Sequence, residues 1–205
     1  MTLTNLQGVV LNTAPLTEDY LPPEFPGRNS QSKQLHSYLN PDVRSEGSLH
    51  VWAFGPPGSG KTSVVRKALG MLEERRVQTA YVNCWTAQTF YAILEAILQE
   101  LRALVGEMRD VSFKFERLSR IAREHRLVIA LDEIDQMFLK ECNAALYNLA
   151  RLPRVSLICL SQTRKQYLAL DARVQSRLQP RFIGLARIGL SGRSPPLTWD
   201  ASRNR

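Results

Sequence analysis

The stretch GPPGSGKTS, residues 55–63, decides the fold of this chain. It fits G-x-x-x-x-G-K-[ST], with Gly55, Gly60, Lys61 and Thr62 at the fixed positions and Pro56, Pro57, Gly58, Ser59 and Ser63 completing the loop. Glycine lets a backbone close around a polyphosphate with its N–H groups pointing inward. Lys61 has the reach and charge for the β- and γ-phosphates, and Thr62 offers a hydroxyl to Mg²⁺. Such a motif carries weight only between a strand and a helix. Ahead of it, Leu49, Val51, Trp52, Ala53 and Phe54 form a short apolar run suited to a buried strand. Behind it, Val64, Val65, Ala68, Leu69 and Leu72 recur at helical spacing, and a helix N-terminus favours anionic charge. The bland alternative, a Gly/Pro-rich turn matching by chance, does not supply that context. The pattern predicts a site for ATP with Mg²⁺.

A second motif answers the first. LVIALDEIDQM, residues 127–137, is an apolar strand ending in two carboxylates, Asp132 and Glu133. Opposite a phosphate loop, Asp132 is expected to hold the Mg²⁺ shell beside Thr62. Glu133 is expected to polarise the attacking water as general base. Alone, the pair also admits the reading of a solvated acidic turn. Asp135 reads as a cap or loop residue rather than a ligand.

Working outward, strands alternate with helices. A helix enters near Ser30, with Leu35, Tyr38 and Leu39 inward; strands are expected at 79–85 and 155–161. Helices are expected over 88–105, from about Ser112 with Phe113, Leu118, Ile121 and Ala122, and through Ala144 to Ala150, with a linker around Gly106. The fold class is therefore α/β, a three-layer αβα sandwich with a parallel sheet, and ligands belong at the C-terminal ends of its strands. Ser161, Gln162 and Thr163 finish the last of these strands. A polar side chain there can face the γ-phosphate if that strand lies between the other two motif strands. Beyond it, LDARVQSRL, residues 170–178, carries arginines on a helix; they read equally as surface charge or as a finger for a neighbouring subunit.

With 205 residues, the chain is long enough for one good core. No apolar run nears the roughly 20 residues of a membrane span, and no secretory leader is evident, so a cytoplasmic location, nucleoid included, and no membrane partner are expected. Cys84, Cys142 and Cys159 are scattered and odd in number, which suits reduced buried thiols. A net charge of +8 draws the chain to DNA weakly and without sequence preference. After Asp171, Arg173, Arg177, Arg181, Arg187, Arg193, Arg203 and Arg205 face a single acid, Asp200. That end reads either as a nucleic-acid arm or as a solvated tail.

These motifs together resemble the AAA+ initiators of archaeal and eukaryotic DNA replication, the origin-recognition and cell-division-control family of P-loop NTPases. The resemblance covers roughly residues 20–180 and rests on PPEFPGR, GPPGSGKTSVV, YVNC, FERLSRIAREHRLVIALDEIDQM, VSLICLSQ and RVQSRL. The loop and the acidic box are widely shared, whereas YVNC, LDEIDQM and RVQSRL in combination are more specific. The resemblance implies that Pro26, Gly27 and Arg28 lie near the adenine, that Gln162 occupies the first sensor position, and that Arg177 is the arginine finger. It implies partners too: full-length initiator homologues, or a second copy, docked through the ATP site.

Two departures are visible. The family's sensor is usually asparagine, and Gln162 carries the same amide on a longer arm. Where the family continues into a helical lid and a winged helix, this chain reads FIGLARIGLSGRSPPLTWDASRNR, with Gly184, Gly189, Gly192, Pro195 and Pro196 against a long helix. The expected organisation is an N-terminal arm (1–22), an AAA+ base subdomain (23–182) and an irregular basic tail (183–205), with lid and winged helix absent. Three functions follow: a weak or assembly-activated initiator ATPase, a non-hydrolysing regulatory paralogue that binds ATP and full-length initiators, or an AAA+ helper of transposition or another mobile-element process.

Overall fold

The computed structural model describes residues 27–39, 48–103 and 110–187. Its centre is a five-stranded sheet of β1 (Val51–Phe54), β2 (Gln78–Asn83), β3 (Leu127–Asp132), β4 (Val155–Ser161) and β5 (Arg181–Gly184). The spatial order is β2-β3-β4-β1-β5, and every pairing is parallel. Strands β3 and β4 are buried at every residue, which is why their sequences run apolar without alternation. Side chains still alternate between two cores. Trp52, Ile129, Leu131, Leu157 and Cys159 point into one, and Val51, Ala53, Val128, Ala130 and Ile158 into the other. Helices α1 (Asn29–Leu39) and α2 (Lys61–Glu73) cover the second face. Helices α3 (Phe90–Glu100), α4 (Val111–Glu124), α5 (Leu139–Leu149) and α7 (Ala172–Leu178) cover the first. A short α6 (Lys165–Leu168) bridges β4 to α7. The fold is thus the expected three-layer α/β sandwich of a P-loop NTPase.

Helix starts follow local chemistry. Thr89 caps α3 by accepting from the Ala92 N–H at 3.2 Å, and Asp110 caps α4 by accepting from Phe113 N–H at 2.8 Å. Each such cap contributes about 1 kcal/mol. The face of α4 agrees with the one read in the sequence at Leu118, Ile121 and Ala122 and differs at Phe113 and Lys114. Lys114, Leu118 and Ala122 point inward, while Phe113 stays 39 % exposed. The buried Lys114 ammonium is satisfied by Glu95 Oε1 at 3.1 Å and by the Tyr91 ring at 3.7 Å from its centroid, so it clamps α4 to α3.

Two elements correct the sequence reading. The helix expected over 88–105 ends at Glu100, because Arg102 turns to φ 51° and the Ala103 N–H closes back on Leu98 O at 2.8 Å. The linker around Gly106 lies outside the described residues. The stretch expected to be irregular after residue 182 instead continues strand β5 to Gly184, and the Leu185 N–H still donates to Phe54 O at 2.8 Å. Four residues alternating about an edge are too short for a periodicity signal, and Gly184 disguises them. The remainder of the expected tail beyond residue 187 and the expected arm 1–22 lie outside the described residues.

Backbone strain is local. Arg76 (φ 61°) and Arg154 (φ 57°) adopt the left-handed conformation in the turns that deliver β2 and β4. That conformation costs a non-glycine residue roughly 1–2 kcal/mol.

Candidate nucleotide site

The site assembles at the C-terminal ends of β1, β3 and β4. The loop after β1 turns with Gly60 at φ 79°, a conformation glycine adopts without strain, and Gly60 opens α2 with no side chain capping it. The first amides of α2 therefore have no intrahelical partner and point out of the helix end. Gly55 is needed for a different reason. A Cβ there would stand 2.1 Å from Leu185 O, so the backbone leaving β5 packs directly on the start of the loop.

Lys61 Nζ donates to Gly55 O at 2.7 Å and Pro56 O at 3.2 Å, folded across its own loop. Burial pulls its ammonium below the ordinary lysine range, opposed by the nearby carboxylates Asp132, Asp135 and Glu133. Thr62 Oγ1 donates to Asp132 Oδ2 at 2.7 Å, joining the two sequence motifs in one hydrogen bond. Asp132 accepts two more: Tyr81 Oη donates to Oδ2 at 2.7 Å and the Glu133 N–H to Oδ1 at 2.8 Å. Tyr81 belongs to β2, the neighbour of β3, and sequence reading assigned it no role. Its phenol is held well above the usual tyrosine range, first by burial and then by its bond to Asp132. Arg66 of α2 stacks over the Tyr81 ring at 4.5 Å. Glu133 follows at φ 54° with its side chain exposed, and Asp135 lies in a 3-10 turn, Ile134–Gln136, with Oδ1 buried and unpartnered.

Strand β4 lies between β3 and β1, so the residues that end it face the loop. Ser161 is inward and structural: it accepts from Trp52 Nε1 at 2.9 Å and donates to Thr163 O at 2.8 Å. Gln162 is exposed beside it. Arg28 is 2 % exposed and touches the loop from the other side, its Nε 3.8 Å from where a Cβ of Gly60 would stand. One Arg28 nitrogen donates to Ala186 O, while Nε and Nη1 are buried without a partner. Gly27 precedes it at φ 73°, and Pro26 lies outside the described residues. Ser59 Oγ within the loop is likewise buried and unpartnered. These orphaned donors, the uncapped helix start and the folded-back Lys61 fit a polyphosphate. The Thr62–Asp132 pair supplies the oxygen donors a Mg²⁺ shell requires.

Arg177 is elsewhere. It lies in the last turn of α7 at the opposite end of the sheet, beside Ser48, His50 and Arg181, and stacks over Tyr147 at 5.1 Å. The three thiols do not belong to the site chemistry. All are buried, and burial pushes them up, Cys142 to about 12. Among the described residues no group of His, Cys, Asp and Glu forms a metal cluster, and no helix is long and apolar enough to cross a membrane.

Comparison with known proteins identifies the family and the fold. The model of the AAA ATPase domain family matches residues 24–160. ORC1-type DNA replication protein 6 of Halobacterium salinarum is 36% identical over 176 residues, covering 79% of this chain and 47% of that protein. The ORC1-type DNA replication protein of Thermococcus kodakarensis is 31% identical, covering 82% and 45%. The chain thus spans about half the length of the curated relatives it matches. Among solved structures, the Aeropyrum pernix ORC1 protein in complex with DNA superposes with a TM-score of 0.70 at 30% identity, covering 83% of this chain and 47% of that one. Cdc6p from Pyrobaculum aerophilum superposes at 0.74 with 19% identity, covering 85% and 49%, a likeness of fold. With more than half of its length matched by the family model, the chain belongs to the AAA ATPase domain family, among relatives that are ORC1-type DNA replication proteins.

Proposed function

We propose that this chain is the ATP-binding base subdomain of a replication-initiator AAA+ protein, with hydrolysis that is slow until a neighbouring subunit completes the site. The observation that carries the reading is the convergence of Lys61, Thr62 and Asp132, from two separate motifs, on one uncapped helix start. Lys61 exchanges its loop carbonyls for phosphate oxygens. The first amides of α2 and Ser63 bind the same group. Thr62 and Asp132 hold Mg²⁺, which when bound neutralises charge on the phosphates. Tyr81 and the Glu133 N–H keep the Asp132 carboxylate in place once the Thr62 hydroxyl turns away. Glu133, exposed at the strand end, takes the proton of the attacking water, and Gln162 orients that water or contacts the γ-phosphate. Gly27 and Arg28, together with Pro26, are assigned to the adenine, as the family resemblance implies. The base is residues 23–182, extended by the rest of β5.

Partners follow from the same reading. The Aeropyrum relative in complex with DNA and the net charge of +8 support weak, largely non-specific DNA binding by this chain. A full-length initiator or a second copy would dock through the ATP site.

The direct test is Lys61→Ala. Removing the ammonium should abolish most ATP affinity, read by calorimetry, while the fold persists because the Lys61 side chain bonds only its own loop. Unchanged affinity in folded Lys61→Ala protein would contradict the assignment.

A further inference from the structure

Arginine gathers at the end of the sheet opposite the phosphate loop. In a parallel sheet all strands begin at one end, and the nucleotide site occupies the other. At the beginning end, Arg76 stands two residues before β2, Arg126 and Arg154 stand immediately before β3 and β4, and Arg181 opens β5. Backbone bonds fix their spacing. Gln78 N–H donates to Arg126 O at 3.2 Å, Leu127 N–H to Arg154 O at 3.0 Å, and Arg181 N–H to His50 O at 2.8 Å. Adjacent strands are about 4.8 Å apart, so the row spans four spacings, about 19 Å, from β2 to β5. The helices return to this end as well, and their exits add exposed Arg75, Arg123 and Arg151.

Among the described residues the row is not neutralised. The acids described at this end are Glu73, Glu74, Glu100 and Glu124; Glu73 accepts from the Thr79 hydroxyl, and Glu124 lies 4.0 Å from His125. Among the described residues no ion pair engages Arg76, Arg126, Arg154 or Arg181. Two of the four sit where glycine would relax the backbone, Arg76 at φ 61° and Arg154 at φ 57°, and both side chains are exposed. Packing therefore does not account for an arginine at either position. Exposed side chains at strained positions point to a use outside the fold. The chemistry of that use is narrow. Among the described residues, of the large exposed apolar side chains only Met71 lies near this end, so around Arg76, Arg126 and Arg154 few apolar anchors for a protein partner are described. A spaced row of guanidinium forks suits phosphate oxygens.

We propose that this end of the sheet is a binding face for the phosphodiester backbone of duplex DNA, with Arg76, Arg126, Arg154 and Arg181 supplying its charge. The proposal rests on the DNA partnership inferred above and gives it a location distinct from the nucleotide site. Contacts from backbone-spaced arginines read no base edges, so the face binds without sequence preference.

The test is the double variant Arg76→Gly/Arg154→Gly, binding a fluorescent random duplex at several salt concentrations. Glycine suits both positive φ values, so its melting temperature should hold or rise. Each lost phosphate contact lowers the slope of log K against log salt by about 0.9, and two contacts by about 1.8. The parent's loss of affinity between about 50 and 200 mM salt should then shrink by about twelvefold. Lys140→Gln/Lys165→Gln removes equal charge at the other end of the sheet and should leave the slope near the parent's. Equal slopes in the parent and the glycine variant, or equal falls in both double variants, would overturn the placement. Competition by polyglutamate as effective as by duplex would assign the face to an acidic protein instead and would also overturn it. A parent that binds no duplex at all would defeat the DNA reading itself, a result distinct from binding with an unchanged slope.

Discussion

A full-length initiator mixed with this chain should lose most of its stimulated ATP turnover when the chain carries Arg177→Ala. Arg177 lies in the last turn of α7, at the opposite end of the sheet from the phosphate loop of its own subunit. It has no path to its own site, so any catalytic use must be in trans. Its guanidinium is exposed and steadied over the Tyr147 ring at 5.1 Å, and Arg151 lies 5.8 Å from the same ring. An arginine supplied to a phosphoryl-transfer site raises turnover by roughly 10³–10⁵. The experiment carries Glu133→Gln in this chain, so that only the partner's site turns over, and compares mixtures with and without Arg177→Ala. Equal stimulation by both mixtures would reduce Arg177 to surface charge and favour a module that binds nucleotide without taking part in hydrolysis.

Glu133→Gln itself should spare ATP binding and remove whatever hydrolysis the chain has, a loss of about 10²–10⁴ if the carboxylate is the base. The amide keeps the shape and cannot accept the proton. Asp132 keeps its three donors in this variant, because the bond from residue 133 comes from the backbone N–H. Glu133 also holds a left-handed φ of 54° directly after a fully buried strand, a strained position of the kind found where a side chain must be aimed. Phosphate release at the parent rate in Glu133→Gln protein would show that another group is the base.

Much of this was legible in the sequence because the decisive signals were local. GPPGSGKTS and LVIALDEID each specify a strand end, and a parallel sheet brings strand ends together. The contacts that complete the site were not legible, because they come from long-range pairing that spacing does not encode. Tyr81 reaches Asp132 from 51 residues away only because β2 pairs with β3 in register. Leu185 and Ala186 reach Gly55 and Arg28 only because β5 adds to the edge of β1. Ser161 drew notice for its place beside Gln162, yet its hydroxyl is consumed by Trp52 and Thr163. Lys114 ran against the rule that lysine faces water, since Glu95 and Tyr91 on α3 satisfy it inside. The arginine row is equally invisible along the chain. Its members are scattered from Arg76 to Arg181 and become neighbours only when strands align.

Residues 55–63 are proposed as a cradle for a polyphosphate, and the affinity of the unaltered chain for ATP, ADP and AMP in the presence of Mg²⁺ tests this. If Lys61, the uncapped start of α2 and the Thr62–Asp132 pair act on the β- and γ-phosphates as proposed, affinity should rise steeply from AMP to ADP and ATP, and removing Mg²⁺ should weaken ATP binding. Equal affinity for AMP and ATP, or no nucleotide binding by the folded chain, would contradict the account.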